Sequence, residues 1–465
     1  IDDTTALTPE LSTRLRAVHA ARSRDQQQFY VSMAANLENP VFARELTYPK
    51  IDTPDAGYRL LALFRFWNVI QYWFPYRNLL DENWHAVLRE FIPRFARAAT
   101  ADAYQLELLA LIARVDDTHA NLRTATPVRP PVGGALIPAV FRFVGQQAVV
   151  SQVVPIAGQP PGPLQPGDVV TAIDGTPVSN LIEAWSPYYP ASNQPTRLRN
   201  ITYGLRRGPA GPVKLRIERG AETLDVEGQR IRDGGWTRSI RFSHELPGPA
   251  FRRLSDQVAY LALLGAKASD VPRYVEQAAG TKGWILDLRN YPADFPVLFA
   301  LGARLVDKPT VFAQFTAGSP ANPGTFSFLR GKALLSPAAP QYKGKIVILV
   351  DEVTQSRAEY FAMAFRATPG AVVIGSTTAG ADGNYSEVPL PGCAGKLRTG
   401  ISGIGIFYPD KRPTQRIGIV PDIVAQPTVA GIRAGRDEVL EAALRHLLGP
   451  GLGDDEIRKL TIVGQ

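Results

Sequence analysis

Lys343 to Gly383 reads K-G-K-I-V-I-L-V-D-E-V-T-Q-S-R-A-E-Y-F-A-M-A-F-R-A-T-P-G-A-V-V-I-G-S-T-T-A-G-A-D-G. Ile346 to Val350 form an unbroken apolar run, the pattern of a strand buried on both faces. Polar residues from Asp351 to Gln355 interrupt it. Arg357 to Arg366 then carry helix formers, with Ala358, Phe361, Ala362 and Phe365 spaced as one helix face. Thr368-Pro369-Gly370 stops the helix, and Ala371 to Ile374 give a second buried strand. Ser356 stands where the first strand gives way to the helix. Open α/β sheets place ligands at such junctions, and free helix N–H groups there can face a developing negative charge. The serine is either a helix cap or a nucleophile whose base comes from elsewhere in the chain.

Outward from this centre, Gly283 to Asp294 reads as a buried strand leaving through a polar turn. If it lies parallel beside the Ile346 strand, N–H groups of its turn reach the same sheet edge as Ser356 and can form an oxyanion hole. The same turn also reads as an ordinary capped β–α connection. Val258–Gly265 predicts a strand, Ser269–Ala278 a helix, Ile417–Ile423 the end of another strand, and Asp437–Leu448 a closing amphipathic helix. This alternation predicts a mixed α/β layer fold over residues 229–465.

Residues 1–128 read as a helical amino-terminal domain. Its helices are predicted at Tyr58–Phe74, at Trp84–Ala98 with a bend or break at Pro93, and at Ala101–Val115. The last runs into Asp116-Asp117-Thr118-His119-Ala120-Asn121-Leu122. There His119 reads either as a general base or as a helix C-terminal cap. Residues 130–228 open on Pro130-Pro131-Val132-Gly133-Gly134 and turn β-rich. Strands are predicted at Ala135–Val144, Gln147–Val154, Val169–Ile173, Leu198–Tyr203 and Val213–Arg219, with an Asp174-Gly175 turn and a helix from Ser179. This unit is either a structural insert or a module that takes an extended peptide along a strand edge.

Composition removes several classes. The net charge of +8 is spread over 465 residues without a basic stripe, which argues against nucleic acid. Cys393 is the one cysteine, so neither an intrachain disulfide nor a cysteine metal cluster is expected. His19, His85, His119, His244 and His446 include no H-x-x-x-H pair, which argues against a zinc protease. No apolar run reaches bilayer length. A chain opening at Ile1 raises the expectation of a removed leader or a cut boundary, and no disulfide is required for export.

Taken together, D-D-T-H-A-N-L, L-Q-P-G-D-V-V-T-A-I-D-G, W-I-L-D-L-R-N, V-T-Q-S-R-A-E-Y, A-V-V-I-G-S-T-T-A-G and G-I-V-P-D-I resemble, in order and spacing, peptidase family S41, the tail-specific C-terminal processing proteases. The resemblance spans nearly the whole chain. It is closer to the tricorn-core-like and retinoid-binding-protein-like branch than to the Ser–Lys branch. It implies a multidomain α+β protein: helical domain 1–128, PDZ-like domain 130–228, and a mixed α/β, ClpP/crotonase-like catalytic domain 229–465. It implies a serine endopeptidase or carboxyl-terminal processing peptidase acting on peptide or protein chain ends, without cofactor or metal, in a bacterial periplasm or secreted.

By that resemblance Ser356 is the nucleophile, His119 the base and Thr118 an orienting hydroxyl. Backbone N–H groups of Arg357 and Ala293 would form the oxyanion hole. The turn Thr378–Gly383, where the Ser–Lys branch carries its lysine, has none. Two departures stand out. Gln415 occupies the position of the branch's late glutamate, so the site is either weakened or completed by Asp116, Asp117 or Glu387. Ala293 and Asp294 replace the glycines of the oxyanion turn. Glu359 is expected to be a surface or supporting residue, and Cys393 a core or loop thiol. The alternatives are a weak or inactive family member that binds peptides or apolar ligands, and an acyl hydrolase of non-peptide substrates.

Overall fold

The computed structural model describes residues 5, 7–21, 28–35, 38–124, 128–239 and 246–461. His244 lies outside the described residues. Its central sheet has six strands in the order Phe251–Arg253, Val258–Ala262, Gly283–Asp287, Lys345–Val350, Val372–Gly375 and Ile423–Val424. All neighbours are parallel except the first pair. Trp284, Ile285, Leu286, Val347, Ile348 and Leu349 are wholly buried, as the uninterrupted apolar runs demand of strands covered on both faces. Helices Val271–Ala278 and Arg357–Arg366 pack on one face and helix Glu438–Leu448 on the other. The turn after Asp287 and the turn after Val350 therefore leave the sheet at the same edge, side by side.

The amino-terminal helices are Ala56–Trp73, Trp84–Arg97 and Ala101–Ala113. Asp55, Asn83 and Thr100 cap them by accepting from the N–H three residues on. The second helix runs through Pro93 without interruption. Its core is not closed by helices alone. Val388, Leu390, Leu397 and Ile401 pack into it from the late hairpin Tyr385–Pro389 and Arg398–Ser402. Late chain is thereby fastened against the end of the third helix.

The β-rich unit is an eight-stranded sheet. Ala139–Val144 forms one of its edges and pairs with Gln147–Val153. Asp174 and Gly175 take φ of 49° and 80° in the predicted two-residue hairpin turn. Leu198–Tyr203, expected as a strand, lies inside the helix Gln194–Leu205, which Asn193 caps. Leu198, Ile201, Thr202 and Leu205 recur at helical spacing and are buried. The Ile417–Ile423 expectation is also corrected. Only Ile423–Val424 pairs with the sheet, and the preceding residues form the approach to it. The long antiparallel pair Thr310–Ser319 and Asn322–Leu335 gave no signal in the reading of the sequence. Among the described residues no helix is long and apolar enough to cross a membrane.

Candidate active site

Ser356 sits between strand Lys345–Val350 and helix Arg357–Arg366 with φ 54° and ψ −119°. That backbone is strained for a residue with a side chain, at a cost of roughly 1–3 kcal/mol, and strand-to-helix nucleophile turns adopt such strain. The surroundings hold it there. The Ser356 N–H donates to the Ala381 carbonyl and to Glu359 Oε2, each at 3.0 Å. Glu359 is not a surface residue. It is fully buried, and its carboxylate also accepts from Thr378 Oγ1 at 2.5 Å, Gly380 N at 2.8 Å and Ala381 N at 3.0 Å. Burial pushes its pKa up against these donors. A single carboxylate thus joins the serine turn to the glycine turn 378–383. A side chain at Gly380 would strike the Arg416 backbone at 2.7 Å, so the close approach requires glycine.

The turn after Asp287 is pinned to the residue that follows Ser356. Arg357 Nη1 donates to the Pro292 and Ala293 carbonyls, both at 3.1 Å, and its guanidinium lies over the Tyr291 and Phe295 rings. Neither Ala293 nor Asp294 is among the described residues with positive φ, so this turn carries side chains without strain. The Arg357 N–H belongs to the helix's first turn, where it has no intrahelical acceptor.

His119 follows the third helix and is half-buried. Its Nδ1 lies 2.8 Å from Ser402 Oγ. Ser402 Oγ donates to Asp117 Oδ1 at 3.0 Å, and Ser402 N donates to Asp117 Oδ2 at 2.7 Å. Asp117 also accepts from His119 N at 3.0 Å and from Gln415 Nε2 at 3.4 Å. With four donors on it, Asp117 acts as an acceptor only. The Ser402 hydroxyl spends its one proton on Asp117 and must accept at its own oxygen. His119 therefore carries its proton on Nδ1, and Nε2 keeps a free lone pair. Burial pushes the His119 pKa below its ordinary value of 6.5, and the Asp117 charge only partly restores it.

Several expected residues sit differently. Thr118 does not orient His119. Its N–H and hydroxyl both donate to Ser192 Oγ, at 2.9 and 3.0 Å. Gln415 reaches Asp117, not the imidazole. Of the three candidate acids, Asp117 faces the histidine at 3.8 Å. Asp116 pairs with Arg197, and Glu387 with Arg398. Ser402 was missed, since a lone serine 283 residues from His119 carries no sequence signal. Among the described residues no hydrogen bond joins His119 to Ser356. They are linked instead through Asp117, Gln415 and the Arg416 N–H, which donates to the Gly380 carbonyl at 2.7 Å. Thr118 and Gln355, their immediate neighbours, line one cleft of about 980 Å³ between the β-rich unit and the central sheet.

Residues 257–425 match the model of peptidase family S41. No curated protein matches the chain by sequence. Two solved structures of mature CPAF, one complexed with lactacystin, superpose on this chain with TM-scores of 0.65 at 14% identity. They cover 87% and 88% of this chain and 99% of their own. A candidate peptidase of Parabacteroides merdae gives a TM-score of 0.54 at 16% identity, over 86% of this chain and 98% of its own. At these identities the likeness establishes the mixed α+β multidomain fold.

Proposed function

We propose that this chain is a serine peptidase of family S41, of its histidine-dependent branch, acting on peptide or protein chain ends, with Ser356 as nucleophile and His119 as base. The observation that carries the reading is the direction of the Asp117–Ser402–His119 hydrogen bonds, which leaves Nε2 free to take a proton. The strained, doubly anchored serine turn supports it. With substrate in the cleft, Nε2 takes the Ser356 hydroxyl proton as Oγ attacks the carbonyl carbon. The N–H groups of Arg357 and Ala293 receive the oxyanion. The Nε2 proton passes to the leaving amine, and water deacylates the serine by the same route. Catalytic hydrogen bonds are often longer in the free enzyme and tighten on the substrate. The β-rich unit serves as the PDZ-like module that guides the chain.

A second reading, a catalytically weak binder, is favoured by His119 bonding Ser402 and not Ser356. A fluorophosphonate probe separates the two. The wild-type chain is expected to label, and Ser356→Ala and His119→Ala to lose labelling. An unlabelled wild type, or a labelled Ser356→Ala, overturns the hydrolytic reading.

A further inference from the structure

The two N–H groups assigned to the oxyanion lie on separate segments, and one residue touches both. Arg357 contributes its own backbone N–H at the head of helix Arg357–Arg366. Its side chain crosses to the turn that carries the other donor, where Nη1 donates to the Pro292 and Ala293 carbonyls, both at 3.1 Å. The Pro292 carbonyl and the Ala293 N–H belong to one peptide unit. That unit is trans, since the cis bonds of the described residues are Pro130–Pro131 and Ala339–Pro340. Across a trans peptide the C=O and the N–H point in opposite directions. A donor fastened to the carbonyl oxygen therefore fixes the line along which the N–H points.

Neither N–H is spent on a protein acceptor among the described residues. Their neighbours are spent: Ser356 N donates to Ala381 and Glu359, and Ala358 N to the Gln355 carbonyl at 3.0 Å. The rest of the turn holds the guanidinium in place. Tyr291 and Phe295 flank it, with their ring centroids 5.3 and 5.8 Å from its central carbon. Phe295 in turn stacks on Tyr360 at an interplanar angle of 11°, which seats the turn on the helix that Arg357 opens. On the other side, Asp294 Oδ2 accepts from Ala268 N at 2.7 Å. Ala293 lacks the conformational freedom of a glycine, so what grips its peptide decides where the N–H is aimed.

We propose that the Arg357 side chain is a positioning residue of the oxyanion hole: through the Pro292 carbonyl it aims the Ala293 N–H at the oxyanion. Residue 357 then provides one donor with its backbone and sets the other with its guanidinium. The two donors keep their spacing because one residue holds both. The inference rests on the peptidase reading, since it needs an oxyanion to be formed at Ser356.

The test compares the full wild-type chain with Arg357→Ala and Arg357→Lys, both of which keep the N–H of residue 357. Oxyanion donors act on the transition state. In Arg357→Ala, kcat on a chromogenic peptide should therefore fall about ten- to a hundred-fold while KM stays within about two-fold. A peptide aldehyde, whose adduct with Ser356 carries the oxyanion, should lose affinity by the same factor as kcat/KM. The uncleaved peptide should bind a Ser356→Ala chain equally well with and without Arg357→Ala. Arg357→Lys keeps a charged donor but not the planar group between the rings, and its kcat should fall between the other two. It decides the matter if the alanine variant does not fold. An undiminished kcat in a folded variant, or a loss confined to KM, overturns the assignment and leaves the peptidase reading standing. A wild type that neither turns over the peptide nor labels with the fluorophosphonate sinks the peptidase reading, and this inference with it.

Discussion

The Ser356 turn and the His119 segment are each organised by one wholly buried carboxylate with four donors. Glu359 gathers donors from residues 356, 378, 380 and 381, three of them backbone N–H groups. Asp117 gathers its donors from His119, from Ser402 and from Gln415, the last two separated from it by 285 and 298 residues. The geometry around Ser356 is therefore local, fixed once strand, turn and helix form. The geometry around His119 exists only after the late hairpin has packed into the helical core. Damage on the Asp117 side should reach catalysis with little loss of fold, and damage on the Glu359 side should reach both.

The largest effect is expected from Asp117→Asn. An amide offers the four donors one oxygen, and its NH₂ must face one of them, so the Ser402 relay no longer fixes the His119 tautomer. General-base assistance is worth about 10²–10⁴-fold, and kcat on a chromogenic peptide should fall within that range while the melting temperature moves little. The pH profile adds a sign. In the proposed mechanism His119 acts as a neutral base, and burial holds its pKa below 6.5. In the wild type kcat/KM should rise as pH climbs through that depressed value and level off above it. Asp117→Asn removes the charge that raises the pKa, so the midpoint of the acid limb should move lower still. A wild-type midpoint above 7, or a variant limb displaced upward, would contradict the arrangement.

Next in size is Glu359→Ala, read as stability. It leaves three buried donors without an acceptor and the Ser356 N–H with the Ala381 carbonyl alone, at a cost of roughly 3–5 kcal/mol. It also releases the strained Ser356 backbone. Both melting temperature and fluorophosphonate labelling should drop. A variant that melts like wild type but fails to label would place Glu359 among the groups acting on substrate instead of beneath them.

The same contrast explains how much could be read beforehand. The Ile346 strand, the Arg357 helix and the Gly283 strand announce themselves through apolar runs, helical spacing and turn residues a few positions apart. Their parallel pairing followed, and with it the place of Ser356. His119 was legible as a residue, but Ser402 was not, because its role is made by a tertiary contact. Glu359 was left open between a surface and a supporting role, because a charged residue on a helix usually faces water and nothing nearby in sequence foretells four donors closing over it; the structure has the supporting role. Leu198–Tyr203 was misread for a different reason. Its β-branched and aromatic content outweighed the Asn193 cap and the i, i+3, i+4 spacing.

The smallest expected effect is also the sharpest test of the comparison. Gln415 gives Asp117 one long hydrogen bond of 3.4 Å, while its own buried Oε1 has no partner. Gln415→Ala loses the first and relieves the second. Activity should change by less than about five-fold, the reach of one ordinary hydrogen bond of about 1 kcal/mol. Gln415→Glu should do worse. It sets a second carboxylate against Asp117 in a buried site, where two like charges cannot both remain ionised. The proton taken up to relieve them would sit within the relay that holds His119. If Gln415→Glu instead raised kcat, by restoring the acid that the family resemblance places there, the imidazole would be oriented from the 415 side. Asp117 would then be a scaffold for Ser402 and not the residue that sets the base.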